Sequence, residues 1–263
     1  MFPKLFVTDL DGTALDKSFQ PYARFPDHFS QFLDQLHKKQ CEWAISTTWD
    51  AIGQSQLILS STVESRPLFL MAEYGMRLAK YSGAEPQYIQ PFTEIMEDKV
   101  AKFNNECAFA VVRDICNQFS PEIMHFYGHM FTFQPIDNDK AAFRNYVREH
   151  AADWHEAEQF NFSLNSQSSF NIYPRFLNKG VALSEALKLS SIAPEQVVIA
   201  GDEIADIDMM QPGLAAFAVC PDNAAPEVKE HVVNMGGFVG NGIGASGIID
   251  SFRQLAAKQQ WSI

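Results

Sequence analysis

Two carboxylates that are two residues apart, Asp9 and Asp11, follow a short apolar run near the start of the chain. The run Lys4–Thr8 predicts a strand, and a parallel strand of an open α/β sheet delivers its C-terminal residues to the crevice where ligands bind. Carboxylates this close repel each other, and a divalent cation relieves that repulsion. The pair therefore predicts carboxylate chemistry beside a bound metal ion.

A second acidic pair, Asp202 and Asp206, follows the apolar run Gln196–Ala200. If the residues after Asp202 turn into a helix, the two carboxylates lie on the same side, because positions i and i+4 are neighbours. Two strand ends that carry carboxylates can meet on one edge of a sheet, and hard oxygen ligands of this kind suit Mg²⁺. The candidate metal ligands are Asp9, Asp11, Asp202 and Asp206.

Three further positions favour a bound phosphoryl group. Gly12 allows a sharp backbone turn, so that neighbouring N–H groups can face an anion. Thr47 follows a second apolar run, and Ser46 and Thr48 beside it are alternative hydroxyl donors. Lys179 stands at the predicted start of a helix, where an ammonium and the helix dipole together attract a phosphate.

Alternating strand-like and helix-like patterns occupy both ends of the chain. Over residues 1–82 and 175–263 this alternation predicts an α/β core with a doubly wound parallel sheet. Residues 83–174 follow the order α-β-β-α-β-β, which predicts an inserted α+β domain. The predicted strands are 4–8, 43–46, 68–72, 122–126, 130–135, 159–164, 169–173, 196–200 and 215–219, and the predicted helices are 25–39, 51–59, 93–106, 139–154, 179–189, 207–210 and 247–258.

The composition argues against several classes of protein. Twenty Lys and Arg residues against 32 Asp and Glu give a net charge of −12, whereas nucleic acids and anionic membranes attract clustered basic charge. No run approaches the roughly 20 apolar residues of a membrane helix, and the first residues do not resemble a signal peptide. The four cysteines lack zinc spacing, as is typical of free thiols in a reducing cytosol. We therefore predict a cytoplasmic protein without nucleic-acid or membrane partners.

Taken in order, four segments resemble the motifs of the haloacid dehalogenase-like hydrolase superfamily. They are the Asp9–Thr13 run, the strand-end Thr47, Lys179 before a helix, and the Gly201–Asp206 run. The inserted domain resembles the type IIB cap of this superfamily, and the Cys220–Ala225 run is similar to Cof-type and sucrose-phosphatase-like members. The resemblance implies a Rossmann-like core whose crevice is covered by the cap.

The resemblance also implies roles for the candidate residues. Asp9 is the expected nucleophile, which forms an aspartyl-phosphate, and Asp11 is the expected acid and base. Thr47 and Lys179 are expected to hold the phosphoryl oxygens. Mg²⁺ is expected to contact Asp9, the backbone carbonyl of Asp11, Asp202 and Asp206. The implied activity is Mg²⁺-dependent hydrolysis of a small phosphorylated metabolite, a sugar phosphate, with no prediction for the oligomeric state.

Two departures from the motifs keep alternatives open. Thr48 and Trp49 stand where the second motif usually continues with Gly and Arg, and Ala205 replaces the Asn of the fourth motif. A phosphosugar mutase and a catalytically weak binding or regulatory protein are the two alternatives to a phosphatase. The run Gly242–Gly247 matches G-x-G-x-x-G, but no βαβ unit follows it, so we predict a loop there and no nucleotide site.

Overall fold

Short apolar runs from both ends of the chain form a single sheet. The structure is a computed structural model that describes residues 2–15, 24–119, 123–126, 128–134, 140–150, 160–164 and 170–262. Its strands are β1 (Leu5–Thr8), β2 (Glu42–Ser46), β3 (Leu70–Ala72), β4 (Arg77–Lys80), β5 (Gln87–Tyr88), β6 (Ile123–Phe126), β7 (Phe131–Gln134), β8 (Phe160–Leu164), β9 (Phe170–Pro174), β10 (Val197–Ala200), β11 (Phe217–Cys220) and β12 (Phe238–Val239).

Within the described residues, the main sheet has eight strands in the order β12-β11-β10-β1-β2-β3-β4-β5. Strand β1 lies in the middle and pairs in parallel with β2 on one side and with β10 on the other. The strands from β12 to β3 are parallel, and β4 and β5 continue the sheet in antiparallel pairing. The carboxyl ends of six neighbouring strands therefore lie along one edge.

Helices cover both faces of this sheet. The helices that pack on it are α1 (Asp27–Lys38), α2 (Ala51–Ser60), α6 (Lys179–Ser190), α7 (Pro226–Asn234) and α8 (Gly244–Lys258). The other described helices are α3 (Phe92–Phe103), α4 (Phe109–Gln118) and α5 (Lys140–His150), whose apolar residues belong to the separate cluster of the inserted unit. Successive strand side chains alternate between faces, so Phe6 packs with α1, α2 and α8, whereas Leu5 and Val7 pack with α6 and α7. The predicted doubly wound α/β fold class is confirmed.

The inserted unit has its own sheet and its own apolar core. Its four antiparallel strands follow the order β6-β7-β9-β8. A π-helical turn at Asn104–Ala108 joins α3 to α4, so that helical structure runs on to Gln118. Apolar residues of these helices, of α5 and of the strands, including Phe133 and Phe143, form a separate cluster. The predicted α-β-β-α-β-β order is present, with a longer first helical region.

The two compact units divide at other residues than predicted. One unit comprises Met1–Thr93 and Asn178–Ile263, and the other comprises Glu94–Leu177, whereas the sequence patterns placed the boundaries after residues 82 and 174. Residues beyond 82 stay with the core because β5 pairs with β4 and the Thr93 hydroxyl donates to the Leu78 carbonyl at 3.4 Å. In the described part of the chain, no helix has both the length and the apolar character needed to cross a membrane.

Candidate active site

The carboxyl ends of three neighbouring strands carry the predicted site residues. Asp9 directly follows β1, and its N–H donates to the Ala200 carbonyl at 3.0 Å. Asp202 lies two residues beyond β10, and Thr47 directly follows β2. Because β1 pairs in register with both neighbours, these residues lie at the same edge of the sheet. Thr47 is buried there, and its predicted contact with phosphate stays a prediction.

Lys179 joins two of the carboxylates. Its Nζ donates to Asp9 Oδ1 at 2.7 Å and to Asp206 Oδ1 at 2.6 Å, and all three side chains are buried. Helix α6 begins at Lys179 because the preceding Asn178 is its N-cap, whose Oδ1 accepts from the Val181 N–H at 3.1 Å. The helix start therefore positions the ammonium between two strand ends.

The Asp206 side chain accepts hydrogen bonds from the backbone of residues that precede it in the chain. Its Oδ2 accepts from the N–H groups of Asp202 and Glu203, both at 2.9 Å. The segment Ile204–Asp208 is a 3₁₀ turn, whereas the patterns predicted a short helix at 207–210. The proximity of Asp202 and Asp206 therefore comes from this tight turn and its hydrogen bonds.

Asn223 belongs to the site; its run, Cys220–Ala225, carried part of the family resemblance, but no role was predicted for this residue. Its Nδ2 donates to the Gly12 carbonyl at 2.8 Å and to Asp202 Oδ2 at 3.2 Å, and its Oδ1 accepts from the Gly244 N–H at 2.7 Å. The other Asp202 oxygen accepts from the Thr13 hydroxyl at 2.6 Å. The available signal was its position, because Asn223 follows β11, the strand beside β10.

Gly12 shapes the turn after β1. Its φ of +77° is in the left-handed region, and a Cβ at this position would overlap the Asp202 carboxylate. Its N–H donates to the Leu15 carbonyl at 3.1 Å and its carbonyl accepts from Asn223. Gly12 thus permits the close approach of the two acidic segments, and its predicted part in phosphate binding remains a prediction.

The Asp11 side chain lies apart from the other three carboxylates. Within the described residues, Asp9, Asp202 and Asp206 are the acidic group whose ligand atoms all lie within 4.8 Å of one another. Asp11 is exposed, and its Oδ2 accepts from Trp49 Nε1 at 2.7 Å. The two acidic side chains diverge because the chain turns after Leu10, whose carbonyl accepts two N–H groups. The Asp11 side chain therefore lies outside this group of carboxylates, and the predicted contact of Mg²⁺ with the Asp11 backbone carbonyl stays a prediction.

The buried charged groups of the site shift one another's pKa values. Burial raises the pKa of Asp9 well above its ordinary value, with Asp206 and Asp202 adding to the rise and Lys179 opposing it. Burial likewise raises the pKa of Asp202 to about 7, against the hydrogen bond from Thr13. Burial lowers the pKa of Lys179, but Asp206 and Asp9 outweigh it and raise that pKa well above its usual range. Lys179 contacts two of the three buried carboxylates, and this set of oxygen donors fits a divalent cation.

A family comparison agrees with this arrangement. The model of the haloacid dehalogenase-like hydrolase family matches residues 26–239. This chain belongs to that family. The resemblance read from its motifs is therefore confirmed.

Solved structures share the fold of this hydrolase at low sequence identity. The sucrose-phosphatase of Synechocystis sp. PCC6803, in complex with sucrose and phosphate, is 16% identical, with coverage of 100% of both chains and a TM-score of 0.65. A haloacid dehalogenase-like hydrolase from Bacteroides thetaiotaomicron is 14% identical over 88% of this chain and 92% of its own, with a TM-score of 0.60. The yhjK protein of Bacillus subtilis is 14% identical over 97% and 92%, with a TM-score of 0.58. No curated protein matches the chain by sequence.

Proposed function

We propose that this hydrolase is a Mg²⁺-dependent phosphatase of small phosphomonoesters, with sugar phosphates as the substrate class and Asp9 as the nucleophile. The observation that carries the proposal is the bridge from Lys179 to Asp9 and Asp206 beside a third buried carboxylate, Asp202. A phosphate dianion and a carboxylate repel each other, and positive charge at the reacting atoms removes that barrier. Asp9, Asp202 and Asp206 would hold Mg²⁺, which would supply further positive charge to the reaction.

Asp9 and Asp11 divide the chemistry between them in this scheme. Lys179 holds Asp9 Oδ1, which leaves Oδ2 to attack phosphorus. The phosphorus–oxygen bond of the ester breaks, and the departing oxygen takes a proton from Asp11. Asp11 then accepts a proton from the water that attacks the aspartyl-phosphate, which releases phosphate and restores Asp9.

Two hydroxyl groups at the end of β2 are candidates to bind the phosphoryl oxygens. Thr47 is the residue that the family motif favours, and of the two alternatives left open by the sequence, Ser46 and Thr48, Ser46 lies within β2. The Ser46 hydroxyl is buried and has no hydrogen-bond partner among the described residues, so it is an available donor. A comparison of Thr47→Val with Ser46→Ala, by the KM for the best substrate, distinguishes the two.

One comparison supports a sugar phosphate as the substrate class. The similar Synechocystis sucrose-phosphatase was solved with sucrose and phosphate, and we extend that class of ligand to this chain.

The test is a hydrolysis screen with the purified full chain. The protein is freed of metal with EDTA, and phosphate release from a panel of sugar phosphates and from p-nitrophenyl phosphate is measured with and without Mg²⁺. We expect release that requires Mg²⁺ and is lost in Asp9→Asn. Mass spectrometry of an acid-quenched reaction is expected to show one phosphoryl group on the wild-type protein. No release from any compound would overturn the proposal in favour of a binding protein, and ³¹P NMR that shows phosphate moved within the sugar would favour a mutase.

A further inference from the structure

The indole of Trp49 makes a short hydrogen bond to the proposed acid and base. Its Nε1 donates to Asp11 Oδ2 at 2.7 Å, at the short end of the N–H···O range. Resting on the proposed function, we infer that Trp49 is a positioning residue that orients the Asp11 carboxylate toward the leaving group. Because Trp49 holds Oδ2, Oδ1 is the oxygen that carries the proton.

The donor is itself fixed by its surroundings. The Trp49 carbonyl accepts from the Glu73 N–H at 3.1 Å and from Gln54 Nε2 at 3.2 Å. Its ring packs against the main apolar cluster of the core and lies beside Gly53. Asp11, in contrast, is exposed, and an exposed side chain samples several rotamers unless a partner holds it. A rigid donor therefore restricts a side chain that is otherwise mobile.

A strained turn supports the segment that carries Trp49. Glu73 and Tyr74, at the end of β3, have φ values of +54° and +57°, which are unfavourable for residues with a side chain. In this conformation the Glu73 N–H reaches the Trp49 carbonyl, and the Tyr74 N–H reaches the Thr47 carbonyl at 3.4 Å. An ion pair of 2.8 Å between Glu73 and Arg77 adds to the structure of the turn. Strain of this kind is common where a fold must hold a functional segment in one position.

The positioning role of Trp49 predicts an effect on the rate that depends on the leaving group of the substrate. An alkoxide leaving group, such as a sugar oxygen, is strongly basic and needs a proton as the ester bond breaks, whereas a p-nitrophenolate leaves without one. A residue that only orients the proton donor should therefore matter for alkyl esters and hardly at all for p-nitrophenyl phosphate. A residue that only stabilises the fold or the phosphate site should affect both alike.

The matched experiment compares Trp49→Phe with Trp43→Phe. Trp43 also donates an indole hydrogen bond, to Ser65 Oγ at 3.0 Å, but it is buried in the core away from Asp11. The measured quantity is kcat/KM for p-nitrophenyl phosphate, phenyl phosphate and the best sugar phosphate of the screen. For Trp49→Phe we expect a loss of about tenfold or more for the sugar phosphate, an intermediate loss for phenyl phosphate, and a change within about twofold for p-nitrophenyl phosphate. For Trp43→Phe we expect the same factor for all three.

Two results would overturn the positioning role. Equal losses across the three leaving groups in Trp49→Phe, or no loss for any of them, would show that Trp49 does not act through Asp11, while wild-type hydrolysis still supports the proposed function. Absence of hydrolysis by the wild-type protein would overturn both proposals.

An NMR measurement tests the contact without catalysis. Trp49→Phe identifies the Trp49 indole N–H signal in a ¹H–¹⁵N spectrum. Asp11→Ala is expected to shift that signal upfield and to speed its exchange with solvent, because the hydrogen bond is lost. A signal that Asp11→Ala leaves in place would contradict the inference.

Discussion

Burial makes the negative charge of the proposed nucleophile, Asp9, unfavourable, whereas the amide of asparagine at this position is neutral. Asp9→Asn keeps the shape and can still accept from Lys179, but an amide is a poor nucleophile. We expect turnover to fall by at least about 10³-fold and the melting temperature to stay equal or rise, because burial no longer opposes a charge at this position. Steady-state kinetics and thermal melts in EDTA check this. Substantial residual activity, or a clear loss of thermal stability, would contradict the assignment.

Asn223 makes hydrogen bonds to Gly12, Asp202 and Gly244, so its replacement should affect both the stability of the protein and the metal site. We expect Asn223→Ala to lower the free energy of unfolding by about 1–3 kcal/mol and to raise the half-saturating Mg²⁺ concentration by about tenfold, since Asp202 loses a partner. Asn241→Ala is the matched control, because Asn241 is exposed and its amide donates to Asp250. Urea denaturation and a Mg²⁺ titration of activity check both variants. An equal Mg²⁺ requirement in the two would contradict this role.

Residue types and spacing were sufficient to find four of the side chains that meet at the site. Asp9, Lys179, Asp202 and Asp206 converge because parallel strand ends meet on one edge. The partners that orient them could not be predicted from the sequence. Asn223 reaches a carbonyl 211 positions away. Trp49 contacts Asp11, and the Trp49 carbonyl accepts from the Glu73 N–H in a turn that the sequence did not predict.

At the scale of elements, Gly75 lies in the turn after β3, directly against the start of α6. Its φ is +85°, and a Cβ there would overlap the carbonyl of Asn178, the N-cap of the helix that carries Lys179. Gly83 has a similar φ of +78°, but a Cβ there meets no described atom. Gly83→Ala should therefore cost about 1–2 kcal/mol from the backbone alone, and Gly75→Ala should cost more and also lower kcat. Denaturation and kinetics check the pair, and equal costs with unchanged kcat would refute the steric argument.

The sequence patterns located most elements of the core but missed those with weak periodicity or unusual starts. The helix at Pro226–Asn234 was not predicted, although Pro226 at its first turn is a typical start signal. Helix α8 begins at Gly244, where the glycine-rich run predicted a loop, because the buried Gly244, Ala245 and Gly247 allow close packing. The helix after residue 106 was also missed, since a π-helical turn shifts the apolar positions out of register.

At the scale of the molecule, the buried carboxyl group of Asp202 should make the stability of the metal-free protein depend on pH. The pKa of Asp202 is about 7 in the folded protein, whereas its ordinary value is 3.8. At a pH between these two values, the Asp202 carboxyl is protonated in the folded state and ionised in the unfolded state. The stabilisation is present below about pH 4 and is lost as the pH rises through 7, because the unfolded state binds fewer protons.

The comparison of wild type with Asp202→Asn in EDTA isolates this contribution. We expect the melting temperature of the wild type, relative to the variant, to fall by several degrees between about pH 4 and pH 8. Mg²⁺ should raise the wild-type melting temperature more at the alkaline end, because the metal binds the ionised carboxylates. A relative melting temperature that stays flat or rises with pH would contradict the prediction.

The central position of β1 also sets when the protein can become active during its synthesis. The inserted unit, Glu94–Leu177, is one continuous segment, and its four strands pair only with one another. Strand β1, in contrast, leaves the ribosome well before β10 and gains this neighbour only when Val197–Ala200 follows. Domains fold as their residues emerge, and pairing over a long sequence separation is slow. The same late pairing brings Asp202 to Asp9, so a nascent chain shorter than this carries no assembled active site.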